Sequence, residues 1–304
     1  MDGVPYLFCD AVAGTIAAIR DHSRFSSTWE AAFENHSDNR WNFHVSIGFK
    51  MGEWSYKLLK WNTGSPSNSV DFAHLKQLKR RYLQINCILF YGTQSYPSNF
   101  QEIEGIINYI APFVNLGDLY LVNNDIDESD LIVLLSYFQH APFEKITTCC
   151  YRQCYEDFLR RYFLSDCLRE VVIYQSGWSE EFQAELKQFI LKKPFRVIDC
   201  FHTNLVFDRS FFEELFEVNP SLEKAIFKGC FSFVFEELKG FKRNLQSSST
   251  GKPWKRVFNR LMDFIKVSRT SSKNGQLVWK RTDGVRVTVS RHAARSLEIE
   301  LFLK

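Results

Sequence analysis

From about residue 84 onward, apolar runs of roughly six residues alternate with polar or aromatic turns and with longer segments of helical periodicity. The successive units are QINCILFYG…FQEIEGIINYI, DLYLVNNDIDESDLIVLLSYF, KITTCCYRQCYEDFLRRYF, REVVIYQSGWSEEFQAELKQFI, RVIDCFHTNLVFDRSFFEELF and EKAIFKGCFSFVFEELKGF. A short apolar run bounded by turn residues predicts a buried strand. Apolar positions at i, i+3 and i+4 predict an amphipathic helix. Each unit is therefore one strand followed by one helix.

The predicted strands start near residues 85, 119, 145, 170, 196 and 224, so the later units recur about every 25–28 residues. That interval lies in the leucine-rich-repeat range. Neither the short strands nor the one-sided helices are stable alone, and parallel stacking buries both. The strand–helix–strand order also suits right-handed βα winding. A doubly wound sheet is the rival, but its glycine-rich phosphate turn is missing: neither GxGxxG nor GxxxxGK[ST] occurs. The expected fold is α/β, an irregular leucine-rich-repeat-like solenoid with a short helical N-terminus and a β-rich C-terminal cap.

The flanks supply those two ends. Residues 1–40 read as helical, with Leu7, Phe8, Ala11, Val12, Thr15, Ile16 and Ile19 on one face and Pro5 in the first turn. STWEAAFENH follows as a second helix capped at Ser27 or Thr28. Residues 41–240 form the βα body. It opens with a hairpin over 43–61 that turns at Met51-Gly52; NTGSPSNS (62–69) reads as a loop, and the repeats run from 84. Residues 241–304 hold a basic helix (WKRVFNRLMDFIKV), a hairpin signalled by Asp283-Gly284 and a last alternating strand, SLEIELFL.

Composition narrows the function classes. No apolar run reaches the roughly 20 residues of a membrane span, and MDGVPYLFCDAV has no basic n-region and puts Asp2 and Asp10 where a signal peptide is uncharged. The expectation is a cytoplasmic or nuclear protein, monomeric outside complexes, whose eight cysteines stay reduced. CCYRQC lacks a C-x2-C pair and a nearby histidine, so no metal site is expected. Between Lys239 and Ser296, 15 Lys or Arg face only two acids, Asp263 and Asp283. That basic end can contact nucleic acid or an acidic partner; a solvated basic face is the competing explanation.

The acid-rich stretch LVNNDIDESD has neither the glycine nor the terminal glutamate of an EF-hand in either register. It reads instead as a strand, a turn and a helix capped by Asp127, with Glu128 and Asp130 complementing the helix dipole. Ser179-Glu180-Glu181 and Asp208 repeat the device. No GxSxG, no HExxH and no paired histidines occur, so neither catalytic residues nor a cofactor are expected. Recognition is the expected activity, because repeat proteins bind through strand ends and turns. The candidate contact residues are Tyr91, Asn123, Arg152, Gln175, Trp178, His202 and Asn204, with Tyr151 and Phe231 in the same turns. Packing of Trp178 and Phe231 beneath the turns, as core, is the alternative.

VPYLFCDAVAGTI resembles the first helix of an F-box, with Val4, Pro5, Phe8, Val12 and Ile16 at the matching apolar and proline positions. Together with FHVSIGF, the repeat-like body and LVWKRTDGVRVTVSR…LEIEL, the chain resembles the nematode-expanded families of F-box-like and F-box-associated proteins. The resemblance implies a non-catalytic substrate receptor of a cullin-type ubiquitin ligase. Val4, Pro5, Leu7, Phe8 and Val12 would then bind a Skp-like adaptor, and the repeat concavity would hold the target. The alternative is a repeat-type scaffold with no ligase link, in which Phe8 and Val12 seal the end of the solenoid.

Overall fold

The computed structural model describes residues 5–15, 27–62, 65–91, 96–122, 125–200, 202–208, 210–211, 214–215, 224–231, 271–273, 276–280, 286–293 and 296–302. The chain is α/β and divides into two compact units, Met1–Thr147 and Thr148–Lys304.

The first unit begins with helices α1 (Tyr6–Thr15) and α2 (Ser27–Asn39). The expected apolar face of α1 is not the one that packs. Cys9 and Ala13 are buried against Ala32 and Phe33 of α2, while Leu7 and Phe8 stay exposed. On α1 the small side chains make the buried contact, while Leu7 and Phe8 stay mostly outside, Phe8 meeting Trp29 of α2 edge-on (ring centres 6.1 Å apart). Asp10 of α1 meets His36 of α2 at 3.2 Å and Arg81 at 3.6 Å. The Tyr82 hydroxyl donates to Asn35 (3.2 Å), tying the helix pair to the rest of the unit.

Strands β1 (Trp41–Lys50) and β2 (Glu53–Asn62) form the expected hairpin. Met51 and Gly52 both have positive φ (54° and 84°), the geometry that matches the twist of the flanking strands. The stretch expected to be a loop holds strand β3 (Ser65–Val70), antiparallel to β2. The free edge of β2 offers backbone donors and acceptors to a segment whose side chains have no packing preference of their own. Helix α3 (Phe72–Gln77) and a 3-10 turn (Arg80–Tyr82) lead into β4 (Leu83–Phe90). Then come β5 (Tyr96–Ser98), α4 (Phe100–Ile110), a second 3-10 turn (Ala111–Phe113), β6 (Val114–Leu121), α5 (Glu128–Ser136) and β7 (Phe143–Thr148).

The sheet order here is β7-β6-β4-β1-β2-β3, with β5 also on β2. β1, β4 and β6 run parallel, whereas β2 is antiparallel to β1, β3 and β5. Helix α4 turns a single apolar stripe inward. Asn99 caps it by accepting the Glu102 N–H (2.9 Å), and Ile103, Ile106, Ile107 and Ile110 form one buried stripe. Each such isoleucine contributes roughly 2 kcal/mol on burial. Asp127 occupies the expected cap position of α5, but its side chain makes no capping hydrogen bond.

The second unit contains α6 (Gln153–Tyr162), β8 (Glu170–Ile173), α7 (Glu180–Lys192), β9 (Val197–Asp199), β10 (Val206–Phe207), β11 (Lys224–Phe231), β12 (Ser271–Lys273), β13 (Gln276–Lys280), β14 (Arg286–Ala293) and β15 (Ser296–Phe302). Its order is β8-β9-β11-β15-β14-β13-β12, with β10 parallel to β11. β8, β9 and β11 are parallel, as a series of strand–helix units requires. From β15 onward the pairing turns antiparallel, because the C-terminal strands form a meander whose last member docks on β11. The expected basic helix and the Asp283-Gly284 turn lie outside the described residues.

Ser179 caps α7 as expected, its Oγ accepting the Phe182 N–H (3.0 Å). Asp208 accepts the Phe211 N–H (2.8 Å), so that cap also forms. Seven cysteines among the described residues form no disulfide. No helix among the described residues is long and apolar enough to cross a membrane.

Candidate functional site

Alternation along β1 places Phe43, Val45 and Ile47 in the core, with Asn42, His44 and Ser46 half-buried on the opposite face. The strand register carries that second face across the unit. His44 is paired with Cys87 of β4, and Cys87 with Asp118 of β6. Leu89 is paired with Tyr120 in the same way. The His44 ring stacks on Trp61 of β2, with centroids 4.4 Å apart and planes 9° apart. At the other end, Lys145 of β7 lies 5.4 Å from the centre of the Tyr120 ring. Trp61, His44, Cys87, Asp118, Tyr120 and Lys145 thus form one row across five strands.

A bulge makes the row possible. Between the pairs Ile85–Val114 and Cys87–Asp118, β6 carries extra residues, and Leu116 takes a positive φ of 49°. A Cβ on Gly117 would meet the backbone oxygens of Ile85 and Asn86 at 3.0 and 3.1 Å, so a side chain there would push the strands apart by a few tenths of an ångström. The irregularity re-aims Asp118, as bulges beside binding sites do. The Tyr120 hydroxyl donates to Asp118 Oδ2 (3.1 Å).

The electrostatics of the row disfavour nucleophilic chemistry. Burial, then the Asp118 charge, push the Cys87 thiol up to about 12 against the opposing pull of Lys145. The thiolate is the nucleophilic form, and at neutral pH Cys87 is not a thiolate. Burial lowers the His44 imidazole below its ordinary value while Asp118 pulls the other way, so the ring is neutral at pH 7. Burial, then Asp118, raise the Tyr120 hydroxyl. What remains is a rigid surface of one exposed indole (Trp61, 39 % exposed), a neutral imidazole, a carboxylate and a cation. Among the described residues no group of three or more His, Cys, Asp or Glu could hold a metal ion.

The turn residues singled out in the sequence fare differently. In the first unit Tyr91 is exposed directly after β4, its N–H donating to Ile47 O (2.8 Å); Asn123 lies outside the described residues. In the second unit Gln175, Trp178 and Asn204 come together. Trp178 is only 2 % exposed, stacked on Phe182 (4.7 Å) and edge-on to Tyr151 (5.4 Å), so it packs as core. Its indole N–H donates to Gln175 O (3.0 Å). Asn204 Oδ1 accepts the N–H groups of Gly177 and Trp178 (both 3.1 Å), and its Nδ2 donates to Trp178 O (2.7 Å). Asn204 therefore clamps the preceding turn. Gln175 and His202 are exposed at positive φ (65° and 62°), and Arg152 is half-buried at the start of α6. The side chain of Phe231 and the whole of Val4 lie outside the described residues; Pro5, Leu7 and Phe8 are exposed and Val12 is half-buried.

Sequence patterning missed the row across the first unit. His44 and Cys87 read as scattered residues, and the one local signal was Gly117 inside an apolar strand, a mark of a bulge or close approach. No family model matches this chain, and neither a curated protein nor a solved structure matches it. Fold and site define the class: an α/β protein with mixed sheets and a half-buried polar row on a sheet face.

Proposed function

We propose that the protein is a non-catalytic interaction module that recognises a protein partner through the Trp61–Lys145 row. The observation that carries this reading is the row itself: an accessible aromatic and two opposite charges, held rigid on strands, beside a thiol kept protonated. Aromatic anchors with a few oriented polar groups dominate protein interfaces. Trp61→Ala with Lys145→Glu changes both ends of the row without entering the core. The expected result is at least tenfold weaker capture of the partner, with an unchanged melting temperature. Capture as strong as that of the unaltered protein overturns the proposal.

One observation favours a further ligase-receptor reading. On α1, Leu7 is 79 % and Phe8 56 % exposed, although the helix is anchored to α2 through Cys9 and Ala13. Two large apolar side chains on the solvent side of a firmly packed helix suit an adaptor-binding face and do not suit an end seal. Leu7→Asp with Phe8→Asp should abolish binding to a purified Skp-like adaptor while leaving the melting temperature within a degree or so. Retained binding, or a large drop in melting temperature, favours the scaffold reading instead.

A further inference from the structure

The first unit contains a groove of about 510 Å³ lined by Lys76, Arg80, Gly105, Asn108, Tyr109, Pro112 and Phe113. It lies where α3, α4 and the two 3-10 turns meet, and none of the residues in the Trp61–Lys145 row lines it. Three independent features mark it as more than a gap between helices.

The first is Gly105, in the interior of α4. Glycine there weakens the helix relative to alanine. Packing does not require it, because an added Cβ would meet nothing within 4 Å. What a side chain would do at this position is fill the groove. The second is a pair of cations. Lys76 Nζ sits 4.1 Å from the centre of the Phe72 ring and the Arg80 guanidinium 5.2 Å from that of Tyr109. Both residues are exposed, and neither has a salt-bridge partner among the described residues. The third is the Tyr109 ring, which forms a rigid part of the wall. It is fixed edge-on to Phe72 (5.5 Å) and against Phe113 (5.6 Å).

We infer that this groove binds a small aromatic anion, a planar ring carrying a phosphate or carboxylate. The anion answers the two unpaired cations, and the ring lies on the Tyr109–Phe113 wall beside Pro112. The Asn108 amide supplies further hydrogen bonds. The volume lies in the range of small-molecule sites, which combine apolar walls with a few convergent polar groups.

Calorimetric titration of the full chain with phenyl phosphate, inorganic phosphate, benzyl alcohol and AMP tests the inference. Phenyl phosphate should bind at least tenfold more tightly than either inorganic phosphate or benzyl alcohol, and its affinity should fall as salt rises. AMP binding as well as or better than phenyl phosphate identifies a nucleotide; weaker binding identifies a smaller aryl anion. Gly105→Leu fills the groove and should abolish binding while the melting temperature holds or rises. Lys76→Glu with Arg80→Glu should weaken binding at least tenfold. Equal affinity for inorganic phosphate, undiminished binding by the Gly105→Leu protein, or no heat with any probe overturns the inference.

Discussion

Replacing Glu156 by alanine is expected to lower the unfolding free energy by about 3 kcal/mol, within the range for breaking a buried charge pair. The side chain is 1 % exposed. Its Oε1 accepts the Ser179 hydroxyl (2.6 Å) and Arg160 Nη2 (2.9 Å), and its Oε2 accepts the Ser179 N–H (3.2 Å). Ser179 Oγ in turn accepts the Phe182 N–H at the start of α7. One carboxylate on α6 therefore orients the cap of the next helix. Truncation leaves the Ser179 N–H buried without its acceptor, frees the capping hydroxyl to rotate and opens a cavity. An unsatisfied buried donor alone costs about 1–3 kcal/mol.

Chemical denaturation followed by circular dichroism measures the effect. Glu156→Gln should lose less, about 1.5 kcal/mol, because its amide oxygen still accepts from Ser179 while its NH2 group opposes Arg160. Arg160→Met should cost about as much as Glu156→Ala, because it leaves the Glu156 carboxylate buried without its cation. Arg160 is 25 % exposed and also lies 3.5 Å from the carboxylates of Glu181 and Glu185, both well exposed. A loss below about 1 kcal/mol for Glu156→Ala would mean that the carboxylate does not hold the cap.

Glu156 marks the boundary of what the sequence discloses. The cap at Ser179 is local, a small hydroxyl three residues ahead of the N–H that it accepts, and was legible. Its partner sits 23 residues earlier in the stretch YEDFLRRY, where no local pattern marks Glu156. The same contrast holds elsewhere. The stripe on α4 was legible because four isoleucines share one helical phase, and the first hairpin because Met51-Gly52 can adopt two positive φ values. The packing face of α1 was not, since periodicity weights large apolar residues, while close helix contact selected Cys9 and Ala13. Strand β3 was hidden because a Ser- and Pro-rich segment acquires its conformation from the edge of β2. Pro66 is opposite Trp61 there, and an edge is where a sheet tolerates a residue with no N–H. The candidate row depends on strand register and on the bulge at Leu116-Gly117, both properties of paired strands and not of any one segment.

Gly177→Ala carries the second large effect, an expected loss of about 3 kcal/mol from two separable causes. Gly177 has φ of +122°, a region that L side chains rarely adopt, and backbone strain there accounts for about 1–2 kcal/mol. The remainder is steric. An added Cβ would lie 2.8 Å from Tyr151 Cδ1, 2.9 Å from its Cγ and 3.4 Å from its Cβ. These atoms include the root of the ring, so a change of rotamer tip cannot relieve the contact. Nor can the turn shift easily, because Asn204 holds the N–H groups of both Gly177 and Trp178. Tyr151→Ala removes the clash and leaves the strain, so Gly177→Ala should cost only about 1–2 kcal/mol in that background. The difference between the two backgrounds, read in a double-mutant cycle, is the steric part. Identical costs in both would mean that strain acts alone and that the Tyr151 ring yields. A cost near zero in both would mean that the turn adopts another backbone path, with Trp178 no longer fixed beneath it.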